Sequence, residues 1–384
     1  FHKIGAGFGS QMKCGYTTFI PRSLIHILAC SVLYIQDEYD NTEQARIWIN
    51  DLGINVVFTV VPTQYINNVY SAERFPYVQF LPTLTGFVPA ITKPENELKR
   101  ISERSTVIGY RGRPLPYWYG NLGQEKKVIG QKMRKICNER SIPCDIEWEE
   151  DKRIYGGGWL EFIESCKATL GTESGSNVFD DYGNIKDVIT KKLEENPDIS
   201  YEKIFDLFLA EHEGKVIMNQ VSPKMFEAIS LKTALILFEG SYSNILKPGV
   251  HYIELKKDFS NIEEVLAKVM DDEYLQKLVD AAYKDICGSE KYTYKQFINN
   301  FDRTISFLNP RDINSIEVPS ELKAIMESSP SIENKVIKVL RTGKVKPNEI
   351  KYYTLLRPRL IAILQKFPWA LALVRKIRDK LVNG

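Results

Sequence analysis

At 384 residues the chain has the length of two domains, and 43% hydrophobic, 26% charged and 11% aromatic residues are the makeup of an ordinary soluble globular protein. Its 51 basic and 49 acidic residues leave a formal charge of +2, which offers nucleic acid no electrostatic foothold as a partner. The six cysteines, at positions 14, 30, 137, 144, 166 and 287, follow no metal-ligand spacing and read as reduced thiols, and no run of about 18 apolar residues crosses a bilayer.

The chain opens at Phe1 on HKIGAGFGSQ with no signal-peptide pattern, so the N-terminal domain is expected to be incomplete. GAGFG (5–9) has no preceding strand and is weak as a dinucleotide fingerprint. From residue 30, β-branched and aromatic runs alternate with helical stretches, the mark of βαβ units on a mostly parallel sheet. VLYIQ (32–36), INVVFTVV (54–61) and YVQFL (77–81) predict strands, with helices TEQARIWINDLG (42–53), stopped at Gly53, and TQYINNVYSAERF (63–75) between them. Asp37 and Glu38 fall just past the carboxyl end of the first of these strands. There one of them positions an acceptor or acts as a base, or both serve only the turn. Asp40 or Asn41 caps the following helix.

The charged stretch KPENELKRISERS (93–105) precedes TVIGY (106–110), where the pattern restarts, and the domain boundary is placed there, dividing 1–103 from 104–310. In IGYRGRPLPYWYGNLGQEKKVIG (108–130) a strand runs through a Gly/Pro-rich loop into a helix, and ligands of open α/β sheets bind beyond the carboxyl ends of strands. Arg111, Arg113 and Lys126 there suit a pyrophosphate, and Tyr117, Trp118 and Tyr119 suit a base or sugar; packing between domains is the equal alternative. A helix (123–140), a strand at CDIEW (144–148), a helix at WLEFIES (159–165) and a strand at KATLG (167–171) follow. ESGSNVFDDYGN (173–184) then places Glu173 and Ser174 where carboxylates and hydroxyls read a donor sugar, while Asp180 and Asp181 fit an acidic turn and no metal loop. SYEKIFDLFLAEHEG (200–214) reads as a helix with a Ser cap and a Gly stop.

In VSPKMFEAISLKTALILFEGSYSN (221–244), Ser222 and Pro223 open a short helix ahead of a strand. A helix N-terminus attracts a diphosphate, Lys224 adds a full charge, and Glu227 three residues on accepts ribose hydroxyls, unless the two only form an i,i+3 ion pair. His251 is the one histidine near this region, and a lone histidine is more often structural.

Taken in order, GYRGR (109–113), EKKVIG (125–130), LGTESGSNVFDDYGN (170–184), SPKMFEA (222–228), ILFEGSYSN (236–244) and HYIELKKDFSN (251–261) resemble a bacterial glycosyltransferase group 1 family, and within it the spore-maturation-protein-like branch, related to family 4 retaining glycosyltransferases. The resemblance covers roughly residues 30–310. It implies the GT-B form of the α/β class, two Rossmann-like domains facing a cleft, with Arg113 and Lys126 on the donor diphosphate and Glu227 on the nucleotide ribose. Asn219 stands where such proteins usually carry a first glutamate, so Glu173 is taken for the missing role, and Lys224 replaces a typical arginine.

The implied activity moves a sugar from a nucleotide-diphosphate sugar to a glycan or lipid-linked acceptor, without metal or further cofactor, on the cytoplasmic side. A nucleotide-sugar epimerase or a non-catalytic nucleotide-sugar binder on the same fold are the rivals. The tail 352–384 carries Arg357, Arg359, Lys366, Arg375, Lys376, Arg378 and Lys380 against Asp379 among apolar residues, and suits either an anionic membrane surface or a helix crossing back onto the first domain.

Overall fold

Two sets of β-branched runs each build a parallel sheet. The structure, a computed structural model, describes residues 3–5, 31–90 and 93–308, so the tail 352–384 and most of the GAGFG segment lie outside the described residues. The first sheet holds β1 (Lys3–Gly5), β2 (Val32–Gln36), β3 (Val56–Thr59) and β4 (Gln79–Pro82) side by side in chain order, all parallel. β2 alternates, with Leu33 and Ile35 inward, whereas β3 is buried along its whole length, as a central strand of a covered parallel sheet should be. Helix α1 (Thr42–Asp51) lays Ala45 and Ile49 on this core, and Gly53, at φ 59°, turns the chain into β3.

The helix expected over 63–75 shrinks to a 3-10 turn (Thr63–Tyr65) and one α turn (Ile66–Val69). Asn67 ends it by accepting the Ala72 N–H at 2.9 Å, and Tyr70 leaves the helix to stack on Phe80 at 4.5 Å, beside Phe75. Local propensity loses here to aromatic burial.

The second sheet orders its strands β6 (Cys144–Glu147), β5 (Thr106–Arg111), β7 (Cys166–Gly171), β8 (Ala234–Phe238) and β9 (Ile253–Leu255), again all parallel. The order reverses between β5 and β7, so the chain leaves those two strands in opposite directions and opens a crevice at their carboxyl ends. Around it lie α2 (Gly120–Glu139), α3 (Gly157–Ser165) and, after α4 (Asn184–Glu195), α5 (Pro223–Ser230). All five residues of β8 are buried. The fold is thus α/β with two parallel, Rossmann-like sheets.

Loops at the carboxyl ends of the two sheets meet. Asp180 N–H donates to the Tyr39 carbonyl at 2.9 Å, Glu43 N–H to the Asp181 carbonyl at 2.9 Å, and Arg46 pairs with Asp181 at 3.0 Å. On the other flank Thr85 donates its hydroxyl to the Val221 carbonyl, and Gly86 packs so closely on Pro223 that a Cβ there would lie 2.9 Å from its ring. The last helix among the described residues, α6 (Tyr294–Leu308), returns to the first sheet, where Phe297 and Phe301 pack against Tyr34 and Phe301 against Phe58.

Candidate functional site

The crevice between β5 and β7 holds a cavity of about 430 Å³. Each wall comes from an element described above: Tyr110, Arg111, Gly112 and Arg113 at the end of β5, Lys126 on α2, Thr172 and Ser174 beyond β7, and Ser222, Lys224, Met225 and Glu227 on α5. Residues 153–156 and Trp159, leading into α3, form the remaining rim. Arg111, Arg113, Lys126, Arg153 and Lys224 therefore face the cavity with Glu227 as the single carboxylate among its lining residues.

These cations are not equivalent. Arg111 is consumed by structure: it pairs with Asp145 at 2.8 Å, donates to the carbonyls of Tyr110, Asp145 and Lys152, and lies over the Phe162 ring at 4.3 Å. Arg153 pairs with Glu150 at 2.6 Å. Arg113 is exposed and makes no hydrogen bond or ion pair among the described residues. Lys126, half-buried, likewise has no hydrogen-bond or ion-pair partner for its ammonium among the described residues, and burial, joined by the like charges of Lys224 and Arg113 and opposed by Asp37, pulls its pKa down to about 8. Three cations so close together suit an anionic ligand.

Helix α5 begins as expected with Pro223 in its first turn, but Ser222 caps nothing through its side chain; its carbonyl accepts the Met225 N–H at 3.0 Å, Pro223 has no N–H, and the N-terminus of the helix borders the cavity. Lys224 donates to the Arg111 carbonyl at 3.1 Å and sits 4.7 Å from the Trp159 ring centroid, and burial lowers its pKa. Glu227 accepts the Trp159 indole N–H on Oε2 at 2.7 Å. The i,i+3 ion pair that the spacing allowed is thus not formed.

Ser174 lines the cavity and its backbone exchanges two hydrogen bonds with Gln220, at 2.7 and 2.8 Å. Glu173, next to it, faces away: only 2% exposed, it accepts on Oε1 from Ser241 N–H, Ser241 Oγ and Tyr242 N–H, and on Oε2 from the Asn219 side-chain amide at 2.8 Å. Glu173 and Asn219 form one hydrogen-bonded pair beneath the cavity floor. Asp37 lies within electrostatic reach of Lys126 and accepts the Tyr39 hydroxyl at 2.6 Å, whereas Glu38 is fully buried, with Thr59 donating to its Oε1 and burial pushing its pKa up to about 8. The structure brings Arg113, Lys126, Ser174, Lys224 and Glu227 together; Asp37 approaches from the first sheet, and Glu38 and Glu173 point into the cores behind.

Thr172, Arg153, Tyr155 and Trp159 were not expected from the sequence. For the last three the one signal is RIYGGGW (153–159), where three glycines between aromatics open a helix. His251, with Asp285 at 3.2 Å, is buried away from the cavity.

Fold and site together define a parallel α/β protein with a cationic cavity at the reversal of its second sheet. No protein-family model matches the chain, and no curated protein matches it in sequence. Among solved structures it is similar to TarM (13% identity, TM-score 0.39, covering 68% of this chain and 45% of that one) and to the pneumococcal O-GlcNAc transferase GtfA in complex with UDP and GlcNAc (12%, TM-score 0.34, 67% and 46%). It is also similar to an alpha-glucosyltransferase in complex with UDP and a 13-mer DNA containing an HMU base (11%, TM-score 0.37, 74% and 82%). The chain thus spans less than half the length of the first two.

Proposed function

We propose that the protein is a glycosyltransferase that moves a sugar from a nucleotide-diphosphate sugar to a glycan or other glycoconjugate acceptor. The observation that carries this reading is Lys126, a half-buried ammonium with no hydrogen-bond or ion-pair partner among the described residues, set beside Arg113, Lys224 and the N-terminus of α5. A diphosphate complements these cations. Glu227, one helical turn further along the same face, keeps Oε1 open for ribose hydroxyls. The sugar then extends toward Thr172 and Ser174, with Glu173 holding Asn219 and the 240–242 turn in place behind it. Asp37, opposite Lys126, is the first-sheet carboxylate in position to orient an acceptor. As the sugar bond breaks, negative charge grows on the leaving diphosphate, and Arg113, Lys126 and Lys224 stabilise it without a metal. In the same reading the basic tail 352–384 holds the protein at an anionic membrane surface that bears a lipid-linked acceptor.

The test is calorimetric titration with UDP-, GDP- and dTDP-sugars. Arg113→Ala, Lys126→Met and Glu227→Ala are each expected to weaken binding by about 1.5–3 kcal/mol, the worth of a charge-assisted hydrogen bond. EDTA is expected to leave the affinity unchanged. Equal binding by parent and variants, or a loss in EDTA that magnesium restores, overturns the assignment. Labelled donor separates the activities: transferred sugar supports transfer, and an isomerised donor supports an epimerase.

A further inference from the structure

Among the described residues Glu227 is the only carboxylate lining the cavity, and a carboxylate at the second turn of a helix, three residues beyond a lysine, is within reach of an ion pair with it. Here no such pair is formed, and a third side chain contacts both residues. Trp159, from the first turn of α3, donates its indole N–H to Glu227 Oε2 at 2.7 Å and places its ring 4.7 Å from Lys224 Nζ. The indole is itself held from behind by Phe162, with ring centroids 5.9 Å apart, and its backbone N–H is tied to the Gly156 carbonyl at 3.2 Å. A rigid ring with one directional donor fixes the rotation of the carboxylate, which leaves Oε1 as the acceptor that faces the cavity.

We infer that Trp159 is a positioning residue for ribose: it keeps Glu227 and Lys224 apart and aims the free carboxylate oxygen at a vicinal diol. The inference rests on the donor reading above. It adds that discrimination between a ribonucleotide and its deoxy analogue depends on α3, an element that touches neither sugar nor phosphate through a charged group.

The test measures the affinities of UDP and GDP, each beside its 2′,3′-dideoxy analogue, for the full chain and its variants. The parent is expected to prefer the ribo form by about tenfold, one charge-assisted hydrogen bond. Trp159→Phe keeps a ring against Phe162 and removes the N–H; the ribo preference should collapse to about unity, with dideoxy affinity changed by no more than about threefold. Glu227→Asp leaves Trp159 intact and draws the carboxylate one methylene back from the indole, and should collapse the preference equally. Trp159→Phe combined with Glu227→Ala should bind no more weakly than Glu227→Ala alone. A preference that survives in either single variant, or a double variant with additive losses, overturns the role of Trp159 while leaving the donor site standing. A parent that binds no nucleoside diphosphate overturns both.

Discussion

Keeping the half-buried Lys126 ammonium charged beside Lys224 costs folding free energy at neutral pH, a cost that Asp37 and a bound anion offset. Its folded pKa near 8 lies below the ordinary 10.5, so the penalty is fully present below about 8 and relaxes as the native state sheds its proton on the way to 10.5. Lys126→Met should therefore stabilise the unliganded protein by about 1 kcal/mol at pH 7 in urea denaturation. That advantage should shrink above pH 8, while anion binding is lost at every pH. Glu38 has the opposite sign. Its carboxyl, raised to about 8 mainly by burial, favours the fold below the ordinary 4.5, and this contribution is lost as the pH climbs toward 8. Glu38→Gln mimics the protonated acid, so its stability should fall less than the parent's between pH 5 and 8; parallel curves would mean that Glu38 is already ionised. Arg113, Lys126, Lys224 and Glu227 were legible in the sequence because each belongs to a strand end or helix start whose position follows from local pattern. Trp159 was not, since its partner Glu227 lies 68 residues away and only tertiary packing joins them.

At the scale of elements the strands were the most legible, because β-branched runs bounded by turn residues mark them: β2 falls at its expected residues and β5, β6 and β7 within one. The helix over 63–75 was misread because periodicity carries no information about the stacking of Tyr70 on Phe80. The turn after β8 shows a similar dependence on distant residues. Its Ser241 and Tyr242 N–H groups are satisfied by Glu173, and Gly240 leaves no room, since a Cβ there would lie 2.6 Å from Glu173 Oε2. Glu173→Ala leaves those two donors without their partner and frees Asn219, which should destabilise the protein by about 2–4 kcal/mol in denaturant melts. An unchanged midpoint with only weaker donor binding would instead give Glu173 a direct part in sugar recognition. Gly240→Ala should destabilise through the same contact.

Across the molecule, two parallel sheets were foreseeable from the repeated strand–helix alternation, and the place of the cavity from the rule that ligands sit where strand order reverses. The return of α6 to the first sheet was not, because its aromatic face fits either sheet until Tyr34, Phe58 and Phe87 are seen clustered to receive it. The distribution of charge has a kinetic consequence. The whole chain carries only +2, so its distant field draws an anion weakly, whereas Arg113, Lys126, Arg153 and Lys224 concentrate positive potential in one concave wall. Capture of a nucleotide is then guided only over the last stretch of its approach, within a Debye length of roughly 8 Å at physiological ionic strength and roughly 30 Å at 0.01 M. In stopped-flow mixing the association rate should fall by about tenfold between those two conditions, while the dissociation rate, set by short contacts inside the cavity, stays nearly constant.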